Sequence, residues 1–223
     1  SAVQLMMRLI VAETGLPGND IKSGRLTPEQ WRHLESATKP LGSAPLYIDD
    51  TPALSVFEFR SKARRLKIHN DIKIIIIDYL QLMTGNQDTK GNREQEVAFI
   101  SRTLKAIAKE LNVPMIALSQ LSRATEMRGG SKRPQLSDLR ESGAIEQDAD
   151  MVLFLDRPAM YGAQTINSNR YGLISSDGVG IMHVAKNREG ATGRIYFRHN
   201  KSLTRITDYD SPATDVIGEA GPF

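Results

Sequence analysis

The sequence predicts an α/β protein, with a mostly parallel sheet flanked by helices and an antiparallel edge toward the C-terminal end. Three observations carry that expectation. "KIIIID" (residues 73–78), "VPMIALSQ" (113–120) and "DMVLFLD" (150–156) are short apolar runs of strand length. Their unbroken apolar character is that of strands covered on both faces. Stretches with helical spacing lie before and between the first two. "VGIMHVAK" and "GRIYFRH" then flank the turn "NREGAT", as a late strand pair would.

The elements follow in order. "SAVQLMMRLI" opens as a helix. Ser1 caps it, Gln4 takes the capping-box position, and Leu5, Met6, Leu9 and Ile10 form the apolar stripe. "TGLPGND" reads as a loop. In "LTPEQWRHLESATK", Thr27 caps, Pro28 suits the first helical position, and Trp31, Leu34 and Ala37 share a face. "APLYIDD" reads as a short strand. "SVFEFRSKARRLK" is a helix with a Ser55/Glu58 capping box and a stripe of Val56, Phe59, Ala63 and Leu66. The clearest helix is "GNREQEVAFISRTLKAIAKEL": Asn92 caps it, and Val97, Ile100, Leu104, Ile107 and Leu111 keep helical spacing. Residues 121–139 and 157–179 read as polar loops, and 209–223 as a loose tail. No repeat or internal boundary is visible, so 1–223 reads as one domain.

Composition bounds the function. The 223 residues carry a net charge of +3, with 40% hydrophobic and 25% charged residues. The pI is about 9.1. Such a mildly basic chain suits an anionic partner without proving one. With no cysteine, disulfides, thiolate metal sites and thiol nucleophiles are excluded. The four histidines show no metal spacing. No apolar run approaches the roughly 18 residues of a membrane span, and the first residues lack the pattern of a signal peptide. The expectation is a soluble, cytoplasmic chain.

In open α/β sheets, ligands bind outside the carboxyl ends of the strands. That rule points to Asp50, Asp78 and Gln120. An apolar strand ending in an acid is how a Walker B segment reads. Its aspartate holds the water shell of a Mg²⁺ that bridges nucleotide phosphates. The alternative is an aspartate that only caps the next turn. The usual companion, a phosphate loop G-x-x-x-x-G-K-[ST], is missing: no Gly-Lys-Ser/Thr occurs in the chain. Either the strand end is no nucleotide site, or the phosphate cradle lies outside these residues.

"IIIIDYLQLM", "LNVPMIALSQLSR", "LSDLRESGAIEQDADMVLF" and "AKNREGATGRIYF" resemble consecutive motifs of the DnaB-family bacterial replicative helicases. "SGRLTPEQW" and "PLYIDDTPALSV" resemble segments further upstream in the same family. The resemblance spans nearly the whole chain in the family's order, and "DLRESGAIEQDAD" is its most specific part. It implies a RecA-like P-loop NTPase core from the family's C-terminal ATPase domain, here lacking the P-loop segment. It also implies a homohexameric ring that uses ATP and Mg²⁺ to move on single-stranded DNA and unwind duplex at the replication fork. Primase and a helicase loader become candidate partners. The family's P-loop and its water-activating glutamate lie upstream of the helix matching "SAVQLMMRL". The chain therefore reads as one partial RecA-like domain that is inactive by itself.

Residue by residue, Asp78 matches the Walker B aspartate, holding Mg²⁺ through water. Gln120 matches the γ-phosphate sensor. Lys186 and Arg188 match cations supplied across a subunit interface, the arginine as a finger. Their i, i+2 spacing at a hairpin would let both reach one anion. Glu189 stands where the family has an amide or small polar residue, and could pair with Arg188. Arg140, Glu141 and Gly143 match the DNA-gripping loop. The preceding stretch adds Arg123, Arg128, Lys132 and Arg133 with no aromatic, which favours phosphate tracking over base stacking. The basic helix "RSKARRLK" reads as a solvated face. Two other classes stay open. One is another RecA-like ATPase, which "DLRESGAIEQDAD" disfavours. The other is a non-catalytic DNA-binding or oligomerisation module of the same fold, which the missing phosphate loop favours.

Overall fold

A computed structural model of the chain describes residues 1–85, 92–122, 124–128, 132–200 and 205–210. They form two compact units. The first gathers the described residues of Ser1–Asp50, Arg157–Met182 and Ile195 onward; the second comprises those of Thr51–Asp156 and His183–Arg194.

In the first unit, α1 (Ala2–Thr14) is followed by α2 (Gly18–Ser23) and α3 (Pro28–Ser43). The Ser1 amino group donates to Gln4 Oε1 at 3.2 Å. The residues of α1 that bury fully are Val11 and Thr14, while the expected stripe is only partly covered. The α2 turn replaces part of the expected loop. Thr27 caps α3 as expected: its hydroxyl accepts from Gln30 N at 3.2 Å, and Gln30 Oε1 accepts from Thr27 N at 2.9 Å. Trp31 is exposed and α3 buries no residue fully. Residues 45–50 make no strand. Leu46 and Tyr47 are exposed, and a strand needs a partner to satisfy its backbone.

The stretch 157–179, expected as a loop, is structured. A short 3₁₀ turn (Pro158–Tyr161) precedes the antiparallel hairpin of β4 (Thr165–Ser168) and β5 (Gly172–Ser175), paired from Thr165↔Ser175 to Ser168↔Gly172. Its Ile166 joins Val179, Ile181 and Tyr196 in a small apolar core. Gly172, at φ 70°, makes the left-handed turn that closes the hairpin. Tyr209 packs against that core. The tail therefore begins with an anchored residue; residues 211–223 lie outside the described ones.

The second unit holds the main core. Ser55 caps α4 (Val56–Asn70) and Asn92 caps α5 (Arg93–Leu111), the cap oxygens accepting from Glu58 N and Gln95 N, each at 3.2 Å. Val56, Phe59 and Ala63 of α4 pack with Ile100, Leu104, Ile107 and Leu111 of α5. Strands β1 (Ile75–Ile77) and β2 (Met115–Ala117) pair in parallel, Ile75↔Met115 to Ile77↔Ala117. Ile75, Ile77 and Met115 pack against the helical core. Ile74 and Ile76 point the other way and are 49% and 64% exposed. One face of this pair is therefore covered, not both. The same alternation marks β3 (Met151–Asp156), where Val152 and Phe154 are buried and Met151, Leu153 and Leu155 exposed.

The stretch 121–139 is also partly structured, as α6 (Ala124–Met127) and a 3₁₀ segment (Leu136–Ser142) that runs into α7 (Gly143–Asp148). Strands β6 (Val179–Asn187) and β7 (Gly193–Asn200) pass through both units, and β7 pairs antiparallel with β8 (Arg205–Asp208). The sheet order is β3-β6-β7-β8. The expected antiparallel edge is present.

Candidate functional site

Parallel pairing sets the site. Because β1 and β2 run the same way in register, Asp78 and Gln120 leave the sheet at the same, carboxyl end. Both are exposed. The pairing continues past the strands: Leu118 N donates to Ile77 O and Leu80 N to Leu118 O, each at 2.9 Å. Asp78 is thus no buried charge seeking a partner. Its apolar run is covered on one side by α4 and α5, and its carboxylate meets solvent. The Asp78–Tyr79 peptide bond is cis. Asp50 belongs to the first unit, where its carboxylate accepts from Ala2 N at 3.0 Å.

Lys186 is the penultimate residue of β6, and Arg188 opens the turn after it. Both cations are engaged by backbone carbonyls and not by one common anion. Lys186 Nζ donates to Glu146 O at 2.5 Å and to Gln147 O at 3.5 Å, and Arg188 donates to Gln147 O at 2.5 Å. The acceptors are terminal carbonyls of α7, where a helix end favours cations. Arg188 also pairs with Asp150 at 3.1 Å, and its backbone N–H donates to Asp150 O at 2.9 Å. Glu189, expected as the competitor for Arg188, takes no such part: its N–H donates to Asn187 Oδ1 at 3.3 Å. The pairing acid is Asp150. Its hydrogen bond from Lys105, with the charges of Lys105 and Arg188, holds its carboxyl below the usual aspartate value.

Arg140 and Glu141 lie in the 3₁₀ segment that leads into α7, and Gly143 is the first residue of that helix. The proposed DNA loop and the two hairpin cations therefore meet opposite ends of one short helix, about 9 Å long at 1.5 Å per residue.

Arg128, expected to face phosphate, is tied down. Its guanidinium pairs with Asp138, whose side chain is 4% exposed, and donates to Arg133 O at 3.2 Å. Asp138 also accepts from Gln135 N at 2.8 Å, while its own carbonyl accepts from Ser122 N at 3.2 Å. A carboxylate this buried requires a cation, and Arg128 is it. Lys132 is half-buried and Arg133 exposed. Arg123 lies outside the described residues.

Over residues 1–208 the chain matches the family described as DnaB-like helicase C terminal domain. The chain belongs to this family. It is 45% identical over 210 residues to the replicative DNA helicase DnaB of Geobacillus stearothermophilus, covering 94% of this chain and 44% of that protein. It is equally identical over 215 residues to the replicative DNA helicase DnaC of Bacillus subtilis, covering 96% and 45%. The chain thus spans a little under half the length of these relatives. A solved structure described as a DnaB-like replicative helicase and its interactions with primase superposes with a TM-score of 0.78 at 34% identity, covering 91% of this chain and 48% of that one. The fold is therefore the RecA-like one expected, and the DnaB-like resemblance read from "DLRESGAIEQDAD" holds across the chain.

Within this DnaB-like domain, sequence reasoning missed three residues that organise the site: Asp138, Asp150 and Gln81. Asp138 and Asp150 had a faint signal, being acids set among apolar neighbours in "LSDLRESGAIEQDADMVLF". Gln81 had none beyond its place in "DYLQL".

Proposed function

We propose that this domain is the motor part of an ATP-dependent replicative DNA helicase that works in the cytoplasm as a hexameric ring on single-stranded DNA. The observation that supports this most is the shared exit of Asp78 and Gln120 from the carboxyl end of a parallel pair, the place where α/β sheets take ligands. In this reading Gln120 reports the γ-phosphate through its amide, which can donate to a phosphate oxygen. Lys186 and Arg188 act on a neighbouring subunit's nucleotide, where a finger can be worth ~10³–10⁵ in rate. Arg140, Glu141, Gly143, Lys132 and Arg133 form the DNA grip. Arg128 serves it from behind, by holding Asp138.

The donor set fits magnesium. Among the described residues no cluster of three or more His, Asp or Glu could hold a metal, so no all-protein cage is at hand. A single exposed carboxylate, Asp78, is what Mg²⁺ needs when waters and phosphates complete its shell. Bound there, the ion would neutralise developing phosphate charge. Among the described residues no helix is long and apolar enough to cross a membrane. Primase and a loader remain partners suggested by the family.

The test is Asp78→Asn in the full-length protein. The amide conserves shape and removes the charge that attracts the ion, so DNA-stimulated ATP hydrolysis should be lost while the fold and assembly persist. Near-normal turnover would make Asp78 a turn-capping residue and favour the non-catalytic reading. The 223-residue chain alone, which contains no G-x-x-x-x-G-K-[ST] sequence, should show no Mg-ATP turnover.

A further inference from the structure

The amide of Gln81 links the two ends of the candidate site. Gln81 lies three residues after Asp78, in the 3₁₀ turn Leu80–Leu82 that closes β1. Leu80 is buried in the core on one side of it. The half-buried Gln81 side chain reaches across to the residues just past β2. There Oε1 accepts from Gln120 N at 3.3 Å, and Nε2 donates to Gln120 O at 3.4 Å and to Ser119 Oγ at 2.9 Å. One side chain thus occupies both backbone groups of the proposed sensor. It acts as a further rung of the β1–β2 ladder after the strands themselves have stopped pairing.

The turn that carries Gln81 is itself held. Arg93, at the start of α5, donates to Gln81 O at 2.6 Å and pairs with Glu96, and Glu96 accepts from Gly85 N at 3.1 Å. Beyond Gln120 the next bond is Ser122 N to Asp138 O, which leads into the 3₁₀ segment carrying Arg140. An open pocket of about 90 Å³, lined by Gln81, Arg93, Gln120, Ser122, Asp138 and Leu139, lies beside this joint. The joint is therefore hydrogen-bonded on one side and faces an open cleft on the other. Packed cores resist graded movement; a joint with room beside it can shift as a unit.

We infer that Gln81 is a positioning residue that holds the backbone of Gln120 in fixed relation to Asp78, so that a change at the nucleotide is passed to the segment 136–143. The inference rests on the proposed roles of Asp78 and Gln120. The chemistry calls for an amide of this length. Glutamine alone offers a donor and an acceptor to a backbone N–H and C=O at that reach. Glutamate keeps the acceptor and loses the donor. Leucine keeps the volume and loses both. Asparagine keeps both and is one methylene short.

The test compares Gln81→Leu, Gln81→Glu and Gln81→Asn with Gln120→Ala and Asp78→Asn in the full-length protein, reading ATP turnover with and without single-stranded DNA and the KM for ATP. Gln81→Leu should lower the DNA-stimulated kcat roughly tenfold, as expected when an oriented group is let loose near the reacting atoms, with the KM changed by less than about threefold and the basal rate much less affected. Gln81→Glu should fall between the two. Gln81→Asn should resemble leucine, which a merely polar, structural role would not predict. Should the leucine variant fail to assemble, the near-isosteric glutamate variant carries the test. If Gln120→Ala and Asp78→Asn are inactive while Gln81→Leu and Gln81→Glu keep normal DNA stimulation, the positioning role is overturned and the site reading survives. If Gln120→Ala or Asp78→Asn keeps normal turnover, the site reading itself falls.

Discussion

Asp138 shows how a single residue can organise a segment whose sequence has no periodicity. It is a buried carboxylate between Arg128 and the N–H of Gln135. Removing one partner of such a pair leaves the other charge uncompensated, at about 3–5 kcal/mol when both are buried. Arg128 keeps some solvent contact, so Asp138→Ala should destabilise the second unit by about 2–3 kcal/mol, less than that full cost. Denaturant unfolding would read this, and Asp138→Asn should cost less because the Gln135 bond is kept. A change indistinguishable from zero for Asp138→Ala would mean that the pair is dispensable. Arg128 illustrates the limit of reading residues by type. Its charge suggests phosphate contact, but the strongest local demand on it comes from an acid ten positions away.

At the scale of elements, helix ends were well encoded and strand faces less so. The Thr27, Ser55 and Asn92 caps sit where the local pattern puts them, because a cap depends on three or four consecutive residues. The C-terminal end of α4 adds a testable case. Asp71 closes that helix in the left-handed region at φ 46°. Hydrogen bonds from Lys67 and Lys73, and then their charges, lower its carboxyl to about 2. A carboxyl depressed in this way adds stability above the ordinary aspartate range, and the contribution is lost as pH falls toward 2. Asp71 is exposed, so the effect should be small and weakened by salt. The wild type should lose more stability than Asp71→Asn between about pH 4 and pH 2, while a carboxyl-detected titration should place the inflection near 2. An inflection near the ordinary value would show the lysines to be solvated instead. Asparagine tolerates the left-handed conformation, so the comparison isolates the charge. The strands were harder. "IIII" before Asp78 is apolar at every position, and the covered face could not be told from the bare one until α4 and α5 were in place. The hairpin β4–β5 was invisible because its residues, "TINS" and "GLIS", are mostly polar or small and do not alternate cleanly.

At the scale of the whole molecule, the proposed ring makes two predictions. Arg188→Ala should depress turnover in the assembled protein with little loss of nucleotide affinity. Rings that mix it with a phosphate-loop mutant should regain some activity, because hybrid interfaces reunite an intact arginine with an intact loop. No recovery in rings shown to contain both subunits would confine Arg188 to its bonds with Gln147 and Asp150. Arg140→Ala should weaken single-strand binding for all sequences alike and flatten its salt dependence by about one unit of slope. Arg170→Ala should change neither, since Arg170 is engaged by Asp210 at 3.2 Å and lies over the Tyr171 ring. An unchanged slope for Arg140→Ala would move the DNA grip elsewhere.

The sequence by itself determined the α/β class, the major helices with their caps, the order of the motifs and the family they spell. Each of these depends on neighbours within a few positions or on a linear order of short strings. Only the tertiary structure decided that Arg188 answers to Asp150 and not to Glu189, and that Arg128 belongs to Asp138. It alone revealed that Gln81 bridges Asp78's strand to Gln120, and that one face of β1 is bare. Those are choices among partners tens of residues apart. They are made by packing and by the cost of leaving a buried charge or backbone group unpaired, and that cost is set only once the chain has folded.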